Sequence, residues 1–131
     1  MNNKLTWVIV IVLVIAVIIG GFVWLQTAQH AKAAKLQSFA SCIKDRGALF
    51  YGAFWCPHCQ EQKAMFNTLF ETGDKNLSYI ECSTPDARGQ LEVCNTEAIK
   101  TYPTWKFTDG SKIEGEATLQ QLAEKTGCQL P

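Results

Sequence analysis

Two cysteines spaced by two residues, in Cys56-Pro57-His58-Cys59, are the side chains of this sequence whose pattern most directly implies chemistry. At about 3.6 residues per helical turn, two such sulfurs meet and can close a small disulfide ring. The apolar run just before them, residues 48–54 (Ala-Leu-Phe-Tyr-Gly-Ala-Phe), reads as a strand buried on both faces, and the pair opens a helix over residues 57–72. At such a junction the first helical turn leaves N–H groups unsatisfied and the helix dipole supplies partial positive charge. Both favour the thiolate, which is the nucleophilic form of cysteine. Cys56 is therefore expected to be the exposed attacking sulfur and Cys59 the buried sulfur that resolves a mixed disulfide. Pro57 suits the first turn, where its missing N–H had no partner to lose. His58 can add positive charge or a hydrogen bond to the Cys56 thiolate, stabilising the reduced form and making the disulfide a stronger oxidant.

The competing reading of a Cys-x-x-Cys is half of a zinc site, which needs a second close Cys/His pair. The remaining cysteines are spaced by twelve residues or more, and His58 lies inside the loop. Haem attachment needs a histidine after the second cysteine, where this chain has Gln60. The expected chemistry is thiol–disulfide exchange, with no metal and no cofactor other than the Cys56–Cys59 disulfide itself.

The elements that must position this pair are legible in outline. Residues 26–46 place Leu36, Phe39, Ala40 and Ile43 at helical spacing and stop before Gly47. In the helix at 57–72, Met65, Phe66, Leu69 and Phe70 form the apolar stripe and Gly73-Asp74 the stop. A strand is expected at 77–82, turn chemistry at 83–86 (Ser-Thr-Pro-Asp) and a helix over 87–99. Thr101-Tyr102-Pro103-Thr104-Trp105 leads into a strand ending near 108, and Asp109-Gly110 turns the chain into a partner strand over 112–116. Thr118 caps a last helix over 118–126, which Gly127 ends. This order describes an α/β domain, a mixed sheet with helices on both faces.

The first part of the chain is of another kind. Residues 5–25 carry no charge and are mostly Val, Ile and Leu, with Trp7 and Trp24 near the two ends. Some 20 helical residues span a hydrocarbon core of about 30 Å, and Trp favours its interfaces. A cleaved signal peptide has a shorter apolar region of about 7–15 residues, although Ala31-Lys32-Ala33 offers a small-x-small cleavage site. The expectation is an uncleaved signal anchor over residues 1–27 in the lipid bilayer, a helical linker over 28–36, and a folded domain over 37–131. Flanking charge does not orient the segment, since Lys4 and the amino terminus face Lys32 and Lys35. The cysteines do: all six follow the apolar stretch, a density that suits an oxidising compartment and places the domain on the extracytoplasmic, periplasmic or extracellular, face of a cell membrane. Twelve basic residues balance twelve acidic ones with no basic patch, which excludes nucleic acid and other polyanions as partners.

With these residues in view, a family resemblance is specific. Tyr51-Gly52-Ala53-Phe54-Trp55-Cys56-Pro57-His58-Cys59, then Tyr79-Ile80-Glu81-Cys82-Ser83 and Thr101-Tyr102-Pro103-Thr104-Trp105, resemble in order the thioredoxin-like domain fused to, or encoded beside, bacterial and plastid homologues of vitamin K epoxide reductase. The likeness covers roughly residues 37–128. It implies a thioredoxin fold, a four-stranded mixed sheet with flanking helices. It also implies cycling of Cys56 and Cys59 between dithiol and disulfide, and electron passage from substrate proteins with cysteines to a quinone-reducing membrane partner on another chain. Pro103 is then the cis-proline facing the dithiol, with Trp55, Tyr102 and Thr104 lining the substrate. Cys82 and Cys94 resemble the second cysteine pair of these relatives. A bridge closing so short a loop stabilises by about 3 kcal/mol in the chain-entropy model, and a shuttle role passing oxidation to Cys56 and Cys59 is the alternative. Cys42 and Cys128 would then join the ends of the domain. Six cysteines allow 15 pairings. Setting Cys56–Cys59 aside leaves three, of which 82–94 with 42–128 is favoured.

One departure stands out. Thioredoxin itself carries a buried aspartate on the strand before its Cys-x-x-Cys, where this chain has Phe50. Glu81 is the candidate substitute as proton relay, against a partly solvated strand-end role. Two functional readings compete with oxidation of substrate thiols. One is a reductase or isomerase fed by a membrane electron donor. The other is a non-catalytic module that binds polypeptides through Trp55, Tyr102 and Trp105, against which the intact Cys-x-x-Cys and proline motif argue.

Overall fold

The computed structural model describes residues 3–66 and 77–131. The chain divides into two units, Met1–Lys32 and Ala33–Pro131. In the first, helix α1 (Asn3–Asp45) begins, and its large side chains from Leu5 to Leu25 are all exposed. This helix is long and apolar enough to cross a membrane by length and composition.

In the second unit the last turns of α1 bury Phe39, Ala40 and Ile43, and the chain turns at Gly47 into β1 (Leu49–Gly52). Helix α2 (Pro57–Ala64) follows, then β2 (Tyr79–Glu81), α3 (Glu92–Thr96), β3 (Thr104–Lys106), β4 (Lys112–Glu114) and α4 (Leu119–Thr126). The four strands form one sheet in the order β2-β1-β3-β4. β1 runs parallel to β2 and antiparallel to β3, and β3 pairs antiparallel with β4. This is the mixed, helix-flanked thioredoxin fold.

Strand alternation divides the core into two clusters. Phe50 and Trp105 face each other across β1 and β3 with rings stacked at 4.8 Å, fully buried among Phe39, Ile43, Phe66 and Leu122. Tyr51, the next residue on β1, belongs to the other cluster with Cys82, Cys94 and Ile99. At the C-terminal end, Thr118 accepts from the Gln121 N–H while the Gln121 side chain accepts from the Thr118 N–H, a reciprocal capping box that starts α4. Gly127, at φ 71°, ends it.

Two expectations need revision. The helix expected over 87–99 is only α3, because the preceding residues form a hydrogen-bonded loop. The Thr84 N–H donates to the Gly89 carbonyl at 3.0 Å, the Gly89 N–H donates to the Thr84 hydroxyl at 2.9 Å, and Ala87 sits at φ 57°. At the other end Ala98, at φ 52°, turns the chain out of the helix. Of the helix expected over 57–72, the structure shows α2 and a turn to the buried Phe66. Leu69, Phe70 and Gly73-Asp74 lie outside the described residues.

Cys42 near the end of α1 is bonded to Cys128 beyond α4, across a sequence separation of 86. A Cys42→Ser/Cys128→Ser double variant of the full chain should lose about 2–5 kcal/mol of stability, read as a lower urea midpoint of the folded domain.

Candidate active site

Cys56 is the N-cap residue of α2, in extended backbone at φ −79° and ψ 119°, with Pro57 in the first turn. A tight turn delivers it there, the Cys56 N–H donating to the Ala53 carbonyl at 3.0 Å. No side chain among the described residues caps this helix start, so the cysteine itself stands before the first-turn N–H groups. Cys56 and Cys59 are both free thiols. Opposite them the Tyr102–Pro103 peptide bond is cis, and the Cys56 thiol donates to the Tyr102 carbonyl at 3.7 Å.

Cys56 was expected to be exposed, and it is not: it retains 5% of its accessible surface and Cys59 1%. The Tyr102–Pro103 turn lies against Cys56, its Tyr102 carbonyl over the sulfur. Cys59 is enclosed further by β1. A Cβ built on Gly52 would stand 2.9 Å from Cys59 Sγ and 3.0 Å from the Tyr79 ring, so only glycine admits the sulfur there. Burial pushes the Cys59 thiol up to about 12, and the neighbouring Cys56 adds to the rise. A hydrogen bond from the Ala53 backbone and the charge of Lys63 oppose it. Lys63 also places Nζ 3.3 Å from the centroid of the Tyr79 ring.

The remaining expected residues are distributed by their hydrogen bonds. Trp55 and Tyr102 meet edge to face at 6.1 Å beside Cys56. Trp55 Nε1 donates to Ser83 Oγ at 2.8 Å, and the Tyr102 hydroxyl accepts from Gln90 Nε2 at 2.7 Å. The exposed Trp55 and Phe54 form the apolar rim of the site. Thr104 does not join them. It is buried, and its hydroxyl donates to the Thr101 carbonyl at 2.7 Å, so its side chain holds the turn before β3. Glu81 accepts from the N–H of Phe54 at 3.2 Å, the N–H of Ser83 at 2.8 Å and the hydroxyl of Tyr79 at 2.6 Å. These bonds make it a brace between β2 and the segment leading to Cys56.

Of the three pairings open to the other cysteines, the structure contains Cys82–Cys94 and Cys42–Cys128. Cys82 stands between Glu81 and Ser83, the two residues that grip Phe54 and Trp55. Its N–H donates to the Gly52 carbonyl at 2.8 Å.

A third group was not anticipated. Gln62 is fully buried in α2, where Nε2 donates to the Ala117 carbonyl at 3.1 Å and Oε1 accepts the Ala117 N–H at 2.7 Å. The neighbouring Gly115, at φ 87°, donates its N–H to the Pro103 carbonyl at 2.8 Å. Between them Glu116 Oε1 lies 2.5 Å from His58 Nδ1, with Glu61 Oε2 at 3.5 Å. The hydrogen bond to Glu116, then its charge, raise His58 above the ordinary histidine range. Gln62 could have been found, because Cys59, Gln62 and Phe66 share one helical face, where a polar residue calls for a buried partner. Glu116 had no such signal. The donor atoms of His58, Glu61 and Glu116 lie within 4.8 Å of one another, but all three residues are exposed and already satisfied as an ion-pair cluster.

A Gly52→Ala substitution should displace Cys59, costing about 1–3 kcal/mol of stability as an overpacked core change and slowing closure of the Cys56–Cys59 ring. Denaturation and quenched-flow alkylation of the reduced protein would check both. In a Cys56→Ala variant, Cys59 should resist iodoacetamide at neutral pH and react only as pH rises far into the alkaline range, because burial is the main cause of its high pKa.

Comparison with known proteins agrees with this geometry. The thioredoxin family model matches residues 30–126. Over 97 residues the chain is 41% identical to the thiol-disulfide oxidoreductase LTO1 of Arabidopsis thaliana. That alignment covers 71% of this chain and 24% of the plant protein, so this chain spans about a quarter of its relative's length.

Proposed function

This chain belongs to the thioredoxin family, and from that premise we propose that it is a membrane-anchored thiol–disulfide oxidoreductase that oxidises cysteines of extracytoplasmic proteins. The observation that carries the reading is the placement of Cys56 at the start of α2, facing the cis Tyr102–Pro103 bond, with Cys59 buried one turn behind. The anchor is the uncharged stretch of α1 over residues 5–25, and two disulfides in the domain suit an oxidising compartment.

In the oxidised state Cys56 and Cys59 share a disulfide. A substrate thiolate attacks Cys56 Sγ from the side of Pro103 and the Trp55–Tyr102 rim, forming a mixed disulfide while the bond to Cys59 breaks. Cys59 leaves with the electron pair and takes up a proton, which its high pKa favours once it is free. A second substrate thiolate then attacks the substrate sulfur of the mixed disulfide and releases Cys56. The substrate has lost two electrons and two protons, and the dithiol has gained them. Re-oxidation passes the same two electrons to a quinone-reducing membrane enzyme of the vitamin K epoxide reductase type, the partner implied by the motifs around Cys56, Cys82 and Pro103. Trp55, Tyr102 and the backbone beside Pro103 hold an extended substrate, and Glu81 and Ser83 fix the segment that presents Cys56.

A Cys59→Ala variant removes the resolving sulfur and should accumulate reductant-sensitive mixed disulfides through Cys56. Recovery of a quinone-reducing membrane enzyme among them supports the oxidative direction. Recovery of a membrane electron donor, with substrates left reduced, would reassign the chain as a reductase or isomerase. If nothing is trapped and Cys56 alkylates no faster than a free thiol at neutral pH, the redox reading fails.

A further inference from the structure

We propose that Glu116 is a positioning residue of the redox centre: it holds His58 as an imidazolium beside the start of α2 and so sets the pH range over which the Cys56–Cys59 disulfide is strongly oxidising. The inference rests on the oxidoreductase reading and adds to it a residue that the Cys-Pro-His-Cys motif does not contain.

Residue 116 is held from both sides. Its neighbours are fixed through their backbones, Gly115 to the Pro103 carbonyl and Ala117 to both ends of the Gln62 amide. The segment therefore bridges the cis-proline turn and the redox helix, and the Glu116 carboxylate is delivered to His58 from the loop after β4. In the contact, 2.5 Å long, the protonated His58 Nδ1–H donates to the Glu116 carboxylate oxygen. An imidazole tied to a carboxylate through one nitrogen keeps its proton more readily, and its other nitrogen remains available as a donor. His58 is raised above its ordinary value first by that hydrogen bond and then by the charge of Glu116. The charged groups acting on it are Glu116 across the gap and Glu61 from its own helix, while Lys63 acts on Cys59.

The direction of the effect follows from charge. A cation held in the first turn of a redox helix stabilises the reduced, thiolate-bearing form over the disulfide and so makes a stronger oxidant. Glu116 has two opposed influences. Its own negative charge weakens the imidazolium's effect wherever His58 is protonated in any case, and it extends protonation to higher pH. Removing the carboxylate should therefore strengthen the oxidant in acid and weaken it at neutrality, so that the two pH profiles cross.

The test equilibrates the full chain in detergent with glutathione from about pH 5 to about pH 9, spanning the histidine range, for wild type, Glu116→Gln and Glu116→Asp. The His58 ring is titrated by NMR in the same samples. In Glu116→Gln the His58 midpoint should fall toward the ordinary value of about 6.5. The equilibrium constant for oxidising glutathione should drop roughly two- to fivefold near neutrality, the range of an exposed ion pair, and exceed wild type in acid. Glu116→Asp should restore part of the wild-type profile. Parallel profiles, or a His58 midpoint unmoved by Glu116→Gln, would overturn the assignment of Glu116 while leaving the oxidoreductase intact. A wild-type pair that does not exchange with glutathione at any pH would instead remove the oxidoreductase reading, and this inference with it.

Discussion

The antiparallel pairing of β1 with β3 is the constraint on which the site depends. It aligns Phe50 with Trp105 and Tyr51 with Thr104, so the C-terminal end of one strand lies beside the N-terminal end of the other. The chain leaves β1 toward Cys56 and enters β3 from Pro103, and the two segments have to meet. A slip of one residue would turn Phe50 and Trp105 out of the core, and the stacked pair makes that costly. The register that packs the interior is thus the same one that sets a sulfur against a cis-proline.

Around that junction the molecule separates reactivity from rigidity. Cys59 is enclosed by Gly52 and Tyr79 and held as a thiol. Cys56 lies closer to solvent but still under the Tyr102 carbonyl. Glu81 and Ser83 grip the approach to Cys56 from β2, and the Cys82–Cys94 bond fastens the stretch that carries them. The buried Gln62 amide is satisfied at both ends, by the two backbone groups of Ala117. A half-satisfied amide in that position would cost more than an apolar side chain.

Much of this was legible from residue types. The Cys-x-x-Cys after an apolar run, the Asp109-Gly110 hairpin, the Thr118 cap and the Gly127 stop are local signals, and each appears where local rules place it. Tertiary contacts decided the rest. Residues 87–91 have helix-compatible composition, yet Thr84 and Gly89 bind each other and hold the chain in a loop. Thr104 looked available beside Pro103 but turns inward, because a threonine at the start of a buried strand satisfies its hydroxyl on the preceding turn. The covering of Cys56 and the approach of Glu116 to His58 depend on residues about 46 and 58 positions away, a separation at which periodicity carries no information.

The backbone grip on residues 115 and 117 has a consequence for residue 116. Gln62 and Pro103 read only main-chain atoms of that segment, so the scaffold places no demand on the side chain between them. The hydrogen bonds that hold the segment are therefore indifferent to the sign, length or polarity of the side chain at 116. The fold thus sets an adjustable side chain next to the reaction centre on a backbone whose hydrogen bonds do not depend on it.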